Sequence, residues 1–118
     1  MKFRFEDLLI WQKAMDLGDD MNELADLFPD KENFNLSSQL RRASDSIALN
    51  ISEGSILQSG PEYRKFLGYS IRSIAEVVTC LHKANRRNYL KTKTFENYYK
   101  DCFDSMNMTI AFRNKIKH

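Results

Sequence analysis

QLRRASDSIALNISEG, residues 39–54, carries two stripes at once. On a helix of 3.6 residues per turn, Leu40, Ala43, Ile47 and Ile51 fall three or four apart and make one apolar line. Shifted along, Gln39, Arg42, Ser46, Asn50 and Glu53 make a second line that is wholly polar. The remaining face, Arg41, Asp45, Leu49 and Ser52, reads as solvated surface with one apolar exception. A surface helix needs only a core line and mixed polarity elsewhere, so a continuous hydrogen-bonding line at the edge of the core asks for partners. Three are open: a ligand, a neighbouring subunit, or an internal network reaching Ser73 or Glu76 on a following helix. Architecture is favoured over ligand binding. In that reading Arg42 meets a carboxylate, and removing either member of a buried pair costs on the order of 3 kcal/mol.

Outward from this stretch the helical period continues. A first helix is predicted over 8–28, capped by Asp7, with Leu8, Trp11, Met15, Leu17, Met21, Leu24 and Phe28 buried and Pro29 ending it. Gly18 in its middle costs about 1 kcal/mol relative to alanine, which predicts a close neighbour, a bend or simple tolerance. Asn35 or Ser37 caps the second helix, 37–54, and Gly54 suits a left-handed turn at its end. Ser59 and Glu62 have capping-box spacing with Pro61 in the first turn, opening a third helix over 61–88. Its inward positions are Tyr63, Phe66, Leu67, Ser70, Ile74, Val77, Val78, Leu81 and Ala84. Thr92 or Thr94 caps a fourth helix over 94–117, with Phe95, Tyr99, Cys102, Met106, Thr109, Phe112 and Ile116 inward. Four such helices on short connectors predict one all-α domain, 1–118, folded as an up-and-down antiparallel four-helix bundle.

Composition agrees with a soluble domain: 118 residues, 42% hydrophobic and 29% charged, need neither disulfide nor metal as a staple. The opening MKFRFEDLLIWQK has only a four-residue apolar run, 8–11, too short for a secretory signal, and no stretch approaches a membrane span. Cys80 and Cys102 lie inside helical patterns, as reduced, packed thiols of a cytoplasmic protein would. Net charge is only +2, but it is unevenly placed. Residues 6–32 hold nine acids against Lys13 and Lys31, while KANRRNYLKTK, 83–93, holds five cations and no acid. Such polarity steers partners or sets unlike ends of subunits together.

Catalytic constellations are missing from the pattern. Di-metal bundles use Glu-x-x-His motifs, but Glu53 is followed three on by Ile56 and Glu76 by Thr79. The histidines are His82, read as a surface residue, and the terminal His118, and there is no phosphate-cradling glycine loop. The expectation is therefore no enzyme, no catalytic residue, no metal, no cofactor and no small-molecule substrate. What remains is the basic segment, where Lys83, Arg86, Arg87, Lys91 and Lys93 could meet phosphates and Tyr89 a base. The plainer account is that cations at a helix C-terminus complement its dipole. Arg41, Arg64, Lys65, Arg113, Lys115 and Lys117 extend a patch only if they share its face.

Together, FEDLLIWQKAMDL at 5–17, the FP pair at 28–29, LSSQLRRASDSIALNISEG at 36–54 and EYRKFLGYSIRSIAE at 62–76 resemble the bacterial four-helix-bundle family of 23S rRNA intervening-sequence proteins. The resemblance spans about residues 3–90, and its most specific part is Gln39, Arg42, Ala43, Ser46, Ile47, Asn50, Ile51, Glu53 and Gly54, with Glu76 beside it. It implies a cytoplasmic bacterial protein, encoded within insertions in ribosomal RNA genes, without known catalysis. It also implies assembly as a homopentamer, as relatives of the fold do. One branch serves a reverse transcriptase and binds nucleic acid through a basic surface. RNA or a nucleoprotein is thus the expected partner, with no membrane; a protein-protein adaptor without nucleic-acid affinity is the alternative. The chain departs from the family pattern at Ser55, Ile56, Leu57 and Gln58, where glycine and arginine are frequent, at Arg72, where glycine is frequent, and at Ala48, where proline is frequent.

Overall fold

Leu40, Ala43, Ile47 and Ile51 are all buried, and the helix that carries them is the central packing element of the chain. In a computed structural model that describes residues 1–56 and 59–117, it is the second of four helices: α1 (Leu9–Asp26), α2 (Leu36–Ser55), α3 (Gly60–Arg86) and α4 (Thr92–Asn114). Each helix packs on its neighbours in sequence and α1 closes against α4, giving the up-and-down four-helix bundle that the periodicity predicts. The bundle measures 44 × 24 × 22 Å. No strand occurs among the described residues.

The most extensive interface joins α2 to α3, and small residues let the two backbones come close. Gly54 lies inside α2 without a positive φ, so the left-handed turn expected of it is not formed. Its role is steric instead. A Cβ on Gly54 would sit 2.8 Å from Phe66 Cβ and 3.1 Å from Tyr63 Cδ1, and a Cβ fixed to the α3 backbone cannot rotate away. The left-handed residue is Asn88, at φ 60. Asn88 N–H donates to Asn85 O and Tyr89 N–H to Ala84 O, the paired bonds of a Schellman motif, so α3 ends at Arg86 rather than at 88.

Other boundaries shift for equally local reasons. Asp7 does not cap α1. It belongs to a 3-10 turn, Arg4–Asp7, closed by Phe3 N–H donating to Glu6 Oε2 at 2.7 Å, and Leu8 is the capping residue. This entry rotates α1 relative to the expected phase. Ile10, Ala14, Leu17, Met21 and Leu24 are buried, while Met15 is 43% exposed and Leu8 and Trp11 pack half-buried at the edge. Asn35 precedes α2 without a side-chain cap, and Ser37 is buried, donating to Ala25 O. Ser59 does cap α3, accepting from Glu62 N–H at 3.2 Å. Lys91, not a threonine, precedes α4, and Thr92 is its first residue. Of the inward positions expected on α4, Cys102 and Thr109 are fully buried and Tyr99 is 41% exposed. Phe95, Met106, Phe112 and Ile116 are partly covered.

The two buried glycines should respond oppositely to alanine. Gly54→Ala sets an overpacking cost of about 1–3 kcal/mol against a helix-propensity gain of about 1 kcal/mol, so a net loss of stability is expected. At Gly18 a Cβ would have only Asp45 Oδ1 at 3.8 Å and Ser44 O at 3.9 Å, ordinary contact distances. Gly18→Ala should therefore gain about 0.5–1 kcal/mol. Urea denaturation of both variants beside the parent checks the pair; equal shifts of the same sign would rule out the close-approach account of Gly54.

Candidate functional site

The polar line on α2 divides when its partners are traced. Ser46 hydrogen-bonds to Ser73 across the α2–α3 seam while also donating to Ala43 O, and Asn50 donates to Ser46 O at 2.8 Å. Beside them the buried Ser70 hydroxyl donates to Ile47 O at 2.8 Å. This half of the line belongs to the seam. The other half faces solvent: Arg42 and Glu53 are exposed, as is Glu76 on α3, and none of the three makes an ion pair among the described residues. Gln39, Arg42, Glu76 and Lys83 line one open groove between α2 and α3, with Cys80 at its floor. No cluster of His, Cys, Asp or Glu able to hold a metal ion occurs among the described residues.

Glu32, between α1 and α2, is the carboxylate with the most side-chain hydrogen bonds among the described residues. Glu32 sits in a short 3-10 turn, Asp30–Glu32, only 5% exposed. Its Oε2 accepts from Tyr89 OH at 2.7 Å and from Arg87 Nη1 at 3.1 Å, and its Oε1 accepts from Asn35 Nδ2 at 3.2 Å. The Tyr89 hydrogen bond foremost, helped by Arg87 and against the cost of burial, holds the Glu32 carboxyl below its usual range. The same bond pushes the Tyr89 phenol up. Tyr89 also packs its ring 5.4 Å from Phe28. Two members of the basic segment, Arg87 and Tyr89, are thus spent inside the chain. Lys83, Arg86, Lys91 and Lys93 remain exposed and unpaired among the described residues. No local signal marks Glu32 as a junction, because Arg87 and Tyr89 lie 55 and 57 residues away in sequence.

Of the further cations, Arg41 pairs with Asp26 on α1. Arg64 and Arg113 come together with Lys65 and Arg72 on the α3–α4 face, toward the other end of α3. His82 is exposed, with its ring against Phe95 and Tyr99. Both cysteines are free and buried. Burial raises the Cys80 thiol and, with some help from Asp101, pushes Cys102 up to about 12, so neither offers a thiolate near neutrality. On the opposite side, Lys13, Asp16, Asp20 and Asp101 line a cleft between α1 and α4 with the buried Ser105, whose hydroxyl lacks a hydrogen-bond partner among the described residues. Burial first, and then Asp101, Glu23, Asp16 and Asp19, raise the Asp20 carboxyl.

The model of the 23S rRNA-intervening sequence protein family matches residues 6–111, nearly the whole chain. The chain belongs to that family. No curated protein matches it. A solved structure from Bacteroides thetaiotaomicron VPI-5482, described as a protein of unknown function from the S23 ribosomal protein family, superposes with a TM-score of 0.84 at 20% identity, covering 91% of this chain and 96% of that one. At that identity the likeness concerns the fold. The family match extends well into α4, beyond the 3–90 region that the sequence resemblance covers.

The Glu32 contact should be visible in pH dependence. Because its folded pKa is lowered, it adds stability above the ordinary carboxylate range and loses it as pH falls through that range, near pH 4. Tyr89 acts in the opposite sense, adding stability that is lost as pH rises past about 10. Tyr89→Phe should lower the melting temperature at pH 7 and flatten its fall between about pH 5 and pH 3. Thermal melts across that range test it; an unchanged acid limb would show that Tyr89 does not stabilise the Glu32 anion.

Proposed function

We propose that this chain is the non-enzymatic subunit of a homo-oligomer, a homopentamer, whose assembled form binds structured RNA or a nucleoprotein partner through a basic surface. The observation that carries the reading is the set of uncommitted cations where α3 ends and α4 begins. Lys83, Arg86, Lys91 and Lys93 are exposed, without ion pairs among the described residues. A chain using these cations only to complement a helix C-terminus has no need of Lys91 and Lys93, which lie beyond the last turn of α3. Family membership supports a ribosomal RNA setting, since the family is named for an intervening sequence of 23S rRNA. The number five follows from the resemblance alone.

Assembly has its own support in the unevenness of the surface. Asp16, Asp19, Glu23 and Asp26 are exposed along α1, opposite in sign to the end of α3. Apolar side chains stand in solvent on α2, Leu49 at 57%, just past its end, Ile56 at 66%, and on α4, Phe103 at 57%. Leu57, next to Ile56 in the sequence, lies outside the described residues. Juxtaposed acidic and basic faces give orientation, and buried apolar side chains give affinity. The same apolar residues favour the second reading, an adaptor that binds protein and has no affinity for nucleic acid.

Light scattering at micromolar concentration should find a homo-oligomer; a monomer removes the assembly claim. RNA affinity measured against salt separates the two readings. Phosphate contacts predict a steep loss of binding as salt rises, reduced by Lys83→Glu, Arg86→Glu and Lys91→Glu. If the chain binds no RNA at about 50 mM salt, while Leu49→Ser and Ile56→Ser dissociate the assembly, the adaptor reading replaces it.

A further inference from the structure

A second concentration of cations lies between the first half of α3 and the end of α4. Arg64, Lys65, Gly68, Tyr69 and Arg72 of α3 and Arg113 of α4 line an open groove of about 550 Å³, and no carboxylate lines it among the described residues. Two of the guanidinium groups are held in place by the opposite helix. Arg64 Nη1 donates to Arg113 O at 2.7 Å and to Ile116 O at 3.3 Å, while Arg113 Nε donates to Arg64 O at 2.8 Å. Each arginine has five N–H groups, so this reciprocal anchoring leaves donors unspent on both. The other two cations flank one ring: Lys65 Nζ lies 6.0 Å and Arg72 Cζ 5.7 Å from the centroid of Tyr69. Phe66 meets that ring edge-on at 5.5 Å. Gly68 also lines the groove, and a Cβ there would stand 3.9 Å from Arg113 Nε.

Four cations gathered with no carboxylate among the described lining residues repel one another, and a ligand carrying several negative charges relieves that repulsion. Planar guanidinium forks match phosphate oxygens two at a time, and forks already fixed by backbone carbonyls lose little freedom on binding. Lys65 and Arg72 are two helical turns apart, about 10 Å along α3, a reach on the order of three phosphates of one strand. We propose that this groove is an oligophosphate site that takes consecutive backbone phosphates of an RNA strand. It rests on the RNA-binding reading for the identity of the strand, and on the groove itself for the phosphate chemistry.

The groove also connects with the far basic end. Lys65, Arg72, Thr79 and Arg86 recur every seven residues, and all four are exposed, with Ala75 and Lys83 exposed on the same side. Glu76 is the acid on this face of α3. The result is a track about 30 Å long from the groove to the cations at the end of α3. Arg72 is central to it, at a position where a glycine would leave the track broken.

Lys65→Gln with Arg72→Gln removes two exposed cations and leaves the reciprocal Arg64–Arg113 bonds untouched. Two ligands are measured on the full chain: sodium tripolyphosphate by titration calorimetry, and a labelled RNA hairpin by anisotropy against salt. The double variant is expected to lose tripolyphosphate affinity about tenfold or more, and to lower the slope of log K against log salt for RNA by about 1.4–1.8. Lys83→Gln with Arg86→Gln should leave tripolyphosphate binding unchanged. If the hairpin binds but Lys65→Gln with Arg72→Gln changes neither its affinity nor its slope, the groove is overturned and the RNA reading stands. Tripolyphosphate binding that depends on Lys65 and Arg72, without hairpin binding, overturns the RNA reading and keeps the oligophosphate site. Binding of neither ligand removes both.

Discussion

Everything in this bundle is positioned by the closeness of α2 to α3. The seam is built from residues too small to keep two helices apart: Ser46 and Gly54 on one side, Ser70 and Ser73 on the other. Closeness has a chemical cost, because hydroxyls carried into a dry interface must find acceptors. Ser70 finds Ile47 O on the partner helix, and the Ser46 and Ser73 hydroxyls meet across the seam, so the polar groups that permit the approach also fix its register. A helix pair joined by methyl groups alone could slide by a turn at little expense. One held by a hydroxyl on a specific carbonyl cannot.

That constraint explains which parts of the molecule were legible beforehand. The apolar line of α2 holds, and on α3 Leu67, Ser70, Ile74, Val77, Leu81 and Ala84 are buried while Tyr63, Phe66 and Val78 are half-buried, since a helix packed between neighbours shows its period clearly. Ser37, Ser44 and Ala48, buried toward α1, were missed because two serines among three positions look like surface when only one core line is expected. The first half of α1 was read out of phase for a different reason: a 3-10 turn before it sets the entry, and Leu8, Leu9 and Ile10 offer no contrast from which to choose a face. Gly54 and Asn88 exchange roles because a glycine near a helix end suggests a left-handed turn as readily as a close approach, and only the neighbouring Phe66 distinguishes them.

The candidate surfaces were legible as composition and hidden as geometry. Five cations in residues 83–93 are plain in the sequence, yet Arg87 is committed to Glu32 by a fold that sequence spacing does not reveal. Conversely Arg64, Lys65, Arg72 and Arg113 are scattered over fifty residues and converge only because α4 returns antiparallel to α3. The α4 helix is the least strongly sided of the four, and its half-covered aromatic residues leave it dependent on α3 for its placement. The Arg64–Arg113 exchange supplies part of that placement at the point where α4 would otherwise fray.

The Glu32 contact has a kinetic consequence. Its two ends are 55 residues apart in sequence, whereas the α2–α3 hairpin pairs residues across a short connector. Closing the larger loop costs more chain entropy, and the reward comes only after α3 has its proper end at Asn88. The hairpin is therefore the natural nucleus, and the Glu32–Arg87–Tyr89 junction a latch that shuts afterwards. A latch of that kind does little to the rate of folding and much to the rate of opening, so the junction governs how long a folded chain stays folded.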